Sequence, residues 1–227
     1  MYIVGIAGGS GSGKTTFTKK VIERLNSEDV AILSMDSYYL PKQPEANQTD
    51  TGKANFDHPE AFDWELLFEH LYTLKSGKPI KSPIYDFTMS KRVSNKSTNI
   101  YPTKILVFEG IFALYDKRIR EISDIKCFLN VDADIRFIRR LHRDIQDRGR
   151  SMNSVISQYY ETVRPMYQKY LHPQKQFADF IIGEESDTAA DILCAKLIEQ
   201  CSDKIKVPIR ESQSMDEETK EFGSFLS

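Results

Sequence analysis

The chain has 227 residues, 40% of them apolar and 28% charged, with 31 Lys and Arg against 33 Asp and Glu for a net charge of −2. That length suits one large domain with a substantial core, or one and a half, and the near-balance of charge argues against a protein that coats nucleic acid. With 11 Gly and 9 Pro the collagen-like and broadly disordered classes are excluded, and no run approaches the roughly 18 apolar residues of a membrane-spanning helix.

Tyr2–Ala7 (YIVGIA) is a short apolar run that predicts a strand; no Lys or Arg precedes it, so it does not read as a signal segment. Thr15–Leu25 predicts a helix and Val30–Met35 a second strand. The polar stretch 41–53 predicts a loop. In Asp63–Lys75 the residues Leu66, Leu67, His70, Leu71 and Leu74 share helical spacing, with Asp63 as N-cap and Gly77 just past the end. Residues 84–100 suggest a small hairpin off the main sheet. Ile105–Phe108 and Lys126–Val131 predict strands, Ala133–Asp147 and Ser154–Leu171 helices, Ala178–Ile182 a fifth strand and Thr188–Cys201 a last helix. Continuous apolar strands alternating with helices mean crossover connections and a parallel sheet covered on both faces, an α/β fold. Residues 1–203 read as a single domain and 204–227 as a polar, mobile tail. Three cysteines without CxxC spacing read as reduced residues of a cytoplasmic protein. The four histidines lack metal-ligand spacing and read as structural.

Between the first strand and the first helix lies Gly8-Gly9-Ser10-Gly11-Ser12-Gly13-Lys14-Thr15, a match to G-x-x-x-x-G-K-[ST] in the strand-to-helix context that gives the motif its meaning. The glycines let backbone N–H groups turn inward on phosphate oxygens, and the helix N-terminus adds positive potential. Lys14 is placed to reach the β- and γ-phosphates and Thr15 to ligate Mg²⁺. The motif makes the expected fold a P-loop NTPase-type parallel sheet of about five strands. Glu109 ends a strongly apolar strand and is a candidate second metal ligand or, alternatively, a surface carboxylate. No Asp-Glu pair of a water-activating ATPase and no N-K-x-D guanine signature is present.

Asp36 stands at another strand end, where a carboxylate either accepts a proton from an attacking hydroxyl or simply caps a turn. Residues 133–150 hold six arginines, of which Arg136, Arg139, Arg140 and Arg143 follow i, i+3, i+4, i+7 and so share a helix face. In isolation such a stripe reads as a solvated face paired with Asp144 and Asp147; beside a phosphate loop, arginines closing over phosphates become the better reading. Aromatic residues and carboxylates cluster in 55–59 and 83–87, which suits a planar base and a ribose, although aromatics at such spacing more often belong to a core.

Together, GGSGSGKTT (8–16), DSYY (36–39), NFDHPEAFD (55–63), PIYDF (83–87), FEGI (108–111), DADIRFIRRLHRDIQDRGR (132–150) and QYYETVRPMY (158–167) resemble the uridine kinase (uridine–cytidine kinase) family over roughly residues 2–183. The resemblance implies ATP- or GTP-dependent phosphorylation of the 5′-hydroxyl of uridine or cytidine in pyrimidine salvage. It implies Asp36 as general base, and Thr15 and Glu109 as Mg²⁺ ligands. Gly8, Gly9, Ser10, Gly11, Ser12, Gly13, Lys14, Thr15 and Thr16 would hold the triphosphate, with Lys14 acting in catalysis. Asp57 and Arg140 would hold the ribose, Tyr39, Phe56 and Phe87 would surround the nucleoside, and Tyr85, Arg150 and Gln158 would contact the base. Arg143 and Arg148 would belong to a lid over the phosphates at about 134–170, facing a nucleoside-binding hairpin insertion at about 84–100. A cytoplasmic homotetramer with nucleoside and nucleoside triphosphate as its small-molecule partners, neither nucleic acid nor membrane, and inhibition by CTP or UTP, are also implied. One position departs: Ser90 stands where the family usually carries a base-reading histidine.

Overall fold

The computed structural model describes residues 1–25, 27–49 and 51–201. Its centre is a five-stranded parallel sheet of β1 (Tyr2–Gly8), β2 (Val30–Ser34), β5 (Ile105–Gly110), β6 (Ile125–Leu129) and β7 (Phe180–Ile182), in the order β2-β5-β1-β6-β7. The strands are the apolar runs legible in the sequence. Six of seven residues in β1 and all six in β5 are buried, as expected where helices cover both faces. One face carries Ile3, Leu33, Leu106, Phe108 and Phe128 in a core with Tyr38, Leu67, Leu71 and Phe112. The other carries Val4, Ile6, Val107 and Cys127 against α1 (Lys14–Arg24) and α7 (Asp187–Cys201), through Phe17, Val21, Leu193 and Leu197. Cys127 and Cys194 are buried, and burial pushes the Cys127 thiol up to about 12, so it behaves as a small apolar residue.

Helix α2 (Trp64–Lys75) begins as the sequence requires: the Asp63 side chain accepts the Leu66 N–H at 3.3 Å, and Gly77, with φ of +82°, closes the end. The hairpin, β3 (Ile80–Asp86) paired antiparallel with β4 (Lys91–Ile100), starts four residues before the expected 84. Pro83 lies inside β3 beside a bulge that shifts the register between Pro83 and Tyr85, and this interruption hides the strand's first half from a pattern reading. A six-residue helix α3 (Lys117–Ile122), too short to show a period, also appears. After it come α4 (Ala133–Gln146) and α5 (Met152–Gln158).

The single helix expected over 154–171 is broken. Beyond α5 the chain widens into π turns at Tyr159–Val163 and Tyr167–Leu171, either side of α6 (Arg164–Met166). Pro165 sits between them and has no N–H to donate, so the helix cannot pass it with regular bonds. Among the described residues no helix is long and apolar enough to cross a membrane. The polar tail expected over 204–227 lies outside the described residues.

Register brings the chemistry to one edge. Ser34 aligns with Glu109 and Ile6 aligns with Glu109 across adjacent strands. The carboxyl ends of β2, β5 and β1 therefore meet where a ligand is expected in an open parallel sheet.

Candidate active site

The phosphate loop is built on backbone that only glycine accepts comfortably. Gly11 and Gly13 have φ of +80° and +90°. A Cβ at Gly11 would fall inside 3 Å of the Arg136 carbonyl oxygen, so the loop and the start of α4 pack backbone to backbone. The loop closes on itself through Ser12 N–H to the Gly9 carbonyl at 3.1 Å, and α1 starts with Phe17 N–H to the Gly13 carbonyl at 2.8 Å. Lys14 Nζ folds back to donate to the carbonyls of Gly8 and Gly9 at 3.0 and 3.2 Å. Burial draws its ammonium below the usual lysine range, while Glu109 and Asp36 pull it back up. Thr15 and Thr16, at the first turn of α1, are exposed.

Glu109 is 9% exposed. Burial lifts its carboxyl above the usual range, Lys14 opposes that, and Asp36 adds to it. The two carboxylates thus feel each other and the same ammonium. Ser34, which the sequence reading passed over, sits between them. Its hydroxyl donates to Glu109 Oε1 at 3.3 Å and accepts the Asp36 N–H at 3.4 Å, capping the short 3₁₀ turn Met35–Tyr38. A serine ending an apolar strand two residues before an acid was the available signal. Gly110 is also required here, because a Cβ there would collide with Met35 Cβ.

Beyond Asp36 opens a cavity of about 560 Å³. Its walls include Asp36, Tyr39, Phe56, Tyr85, Phe87 and Ser90. Tyr39 is stacked on Phe62 with centroids 4.2 Å apart, and meets the edge of Phe56 at 5.6 Å and Tyr85 at 5.0 Å. Tyr39 thus serves the core and the cavity at once. Burial pushes the Tyr85 phenol up to about 12, with the Ser90 hydroxyl beside it pulling the other way. Ser90 itself has φ of +49° at the hairpin tip.

On the far wall stands a polar network. Asp57, 8% exposed, accepts from Thr162 Oγ1 at 2.8 Å and from Gln158 Nε2 at 3.5 Å. Gln158 Oε1 in turn accepts from Arg140 at 2.9 Å and Arg150 at 2.6 Å. Thr162 was not foreseen; it lies one helical turn after Gln158, on the first π segment.

The solvated-face reading of the arginine stripe is overturned. Arg136 and Arg140 are buried. Arg136 donates to the Val131 carbonyl at 2.9 Å and lies 3.8 Å over the Tyr167 ring. Arg140 and Arg143 both donate to Ser10 Oγ of the phosphate loop, at 2.9 and 3.3 Å. Arg148 lies 4.3 Å over the ring of Phe87. Only Arg139 turns outward, to pair with Glu184. The expected site residues of the cavity and phosphate loop are therefore gathered at one edge of the sheet.

A parallel sheet with this loop, closed by an arginine-bearing helix, defines a P-loop kinase. The family model described as "Phosphoribulokinase / Uridine kinase family" matches residues 3–190, and the chain belongs to that family. A Deinococcus deserti protein named uridine kinase is 48% identical over 198 residues, covering 86% of this chain and 95% of its own. A Lactobacillus helveticus protein of the same name is 47% identical over 205 residues, covering 86% of this chain and 93% of its own. Among solved structures, phosphoribulokinase from Rhodobacter spheroides has a TM-score of 0.59 at 16% identity, covering 80% of this chain and 69% of that one. A structure titled a possible uridine kinase from Bacillus stearothermophilus has a TM-score of 0.56 at 20% identity, covering 79% and 87%. At such identities the structural matches speak for the fold.

Proposed function

We propose that the enzyme moves the γ-phosphoryl group of ATP or GTP to the 5′-hydroxyl of uridine or cytidine, in pyrimidine salvage. The observation that carries this reading is a ring-lined cavity opening directly beside the phosphate loop, with Asp36 at the junction. The names of relatives at 47–48% identity over most of the chain support it.

The donor set suits Mg²⁺. Among the described residues no group of three or more His, Cys, Asp or Glu gathers to form a metal cage. Mg²⁺ in kinases takes one or two protein oxygens plus phosphates and waters, and the exposed Thr15 hydroxyl and Glu109 would be the two residues to hold it. When bound, the ion neutralises charge on the phosphate oxygens. The protein's part is positioning and charge neutralisation in a loose, in-line transfer. The backbone of residues 8–16 holds the polyphosphate. Lys14 exchanges its carbonyl partners for phosphate oxygens. Asp36 accepts the proton of the attacking hydroxyl. Tyr39, Phe56 and Phe87 hold the nucleoside, Asp57 and Arg140 its ribose, and Tyr85, Arg150 and Gln158 its base. Arg143 and Arg148 close over the phosphates as charge spreads onto their oxygens. The reading extends to a cytoplasmic homo-oligomer acting on small molecules, with no nucleic-acid or membrane partner.

Acceptor-dependent ADP release decides it. Uridine and cytidine are expected to be turned over well above purine nucleosides and phosphorylated sugars. Equal or better turnover of a non-pyrimidine acceptor rejects the pyrimidine assignment, and ATP binding without acceptor-dependent release rejects catalysis.

A further inference from the structure

Asp144 on α4 has no exposed surface, yet no role in the proposed reaction needs it. Four guanidiniums converge on it. Its Oδ1 accepts from Arg143 at 2.9 and 3.0 Å and from Arg148 at 3.2 Å. Its Oδ2 accepts from Arg150 at 3.2 Å and faces Arg140 Nε at 3.6 Å. Burial alone pushes its carboxyl up, and the arginines override this to hold it below the usual carboxylate range. It is therefore a fixed negative charge.

The arginines it gathers lead to both halves of the site. Arg140 and Arg143 both reach Ser10 of the phosphate loop. Arg140 and Arg150 share Gln158, which leads to Asp57, and Arg148 lies over Phe87 of the cavity. Four like charges this close repel one another: burial draws the Arg148 guanidinium down first, and Arg143 and Arg140 add to it. A single buried counter-charge lets them stand assembled before any phosphate arrives.

We propose that Asp144 is a positioning residue of phosphoryl transfer: its carboxylate sets the four arginines in place between donor and acceptor and tempers their hold on the polyphosphate. This rests on the kinase reading above and deepens it. Asp144→Asn keeps the shape and removes the charge; Asp144→Glu keeps the charge and moves it by one methylene. In the full chain, both are expected to lower kcat at least about tenfold, since arginines act by placement. In Asp144→Asn, ADP binding measured by calorimetry is expected to tighten about threefold or more, because one positive charge loses its balance. A merely structural role would not combine slower turnover with tighter ADP. Either variant, folded and running within about twofold of wild type, overturns the proposal, and so does ADP binding that weakens in Asp144→Asn. If Asp144→Asn does not fold, Asp144→Glu decides alone. A wild-type protein that turns over no acceptor fails the kinase reading instead, so the two failures are distinguishable.

Discussion

The backbone contact between the phosphate loop and α4 gives a sharp stability prediction. Gly11, Gly13 and Gly77 all have positive φ, at +80°, +90° and +82°. Alanine at any of them pays the left-handed conformational penalty, about 1–2 kcal/mol. The surroundings differ. A Cβ at Gly77 meets nothing within 4 Å, and one at Gly13 only touches the Arg139 guanidinium at 4.0 Å. A Cβ at Gly11 runs into the carbonyl oxygen, carbonyl carbon and Cα of Arg136, which are helix backbone and cannot swing aside. Overpacking of that kind adds about 1–3 kcal/mol. Relieving it by moving α4 would also disturb the Arg136–Tyr167 stack and the Arg140 and Arg143 bonds to Ser10. Gly11→Ala is therefore expected to lose about 2–5 kcal/mol in denaturant unfolding of the ligand-free protein, against about 1–2 for Gly13→Ala and Gly77→Ala. Gly77→Ala, remote from the loop, is expected to keep full turnover. Equal destabilisation of Gly11→Ala and Gly13→Ala would refute the claim that α4 seats directly on the loop.

Asp36→Ala is expected to lower kcat by about 10²-fold or more with little change in ATP affinity; a wild-type rate would remove it as the base. Glu109→Gln is expected to raise the Mg²⁺ concentration for half-maximal activity by about tenfold or more, and an unchanged Mg²⁺ titration curve would argue for a purely structural Glu109. Ser90→His is expected to sharpen discrimination for uridine over purine nucleosides, read as a ratio of kcat/KM values; an unchanged ratio would show that this position does not read the base. His70 hydrogen-bonds Tyr38 at 2.8 Å, and burial draws its imidazole below the usual range. The unfolded chain then binds more protons from about pH 6.5 downward, so stability falls as pH drops through and below that value. His70→Gln should flatten this slope between pH 7.5 and 5.5 in thermal melts, and an identical slope in the variant would assign the acid sensitivity elsewhere.

The strands, the phosphate loop and the Asp63 cap were legible because each rests on local chemistry: an apolar run, a glycine spacing, a carboxylate before a helix. Asp36 and Glu109 were legible one step further, through the rule that parallel strands present their carboxyl ends together; Ser34, two residues before Asp36, is in register with Glu109. What stayed hidden depends on partners distant in the chain. The spacing Arg140–Asp144–Arg148 shows that an acid can pair along a helix. It does not show burial, because Arg150 and Gln158, which complete the enclosure, come from beyond the end of α4. The same holds for Ser10, an ordinary loop residue by sequence that becomes the shared acceptor of two guanidiniums, and for Phe87, whose partner Arg148 lies far along the chain. A charge pattern that reads as solvent-facing in one dimension is, in three, the seam between the two halves of the candidate site. The difference is physical: i,i+4 spacing fixes which charges can meet, while only the tertiary packing of α4 onto a glycine loop decides whether water is present when they do. That is why the sequence alone favoured surface pairing for the stripe in isolation, and why the phosphate loop was the one observation able to tip the reading the other way.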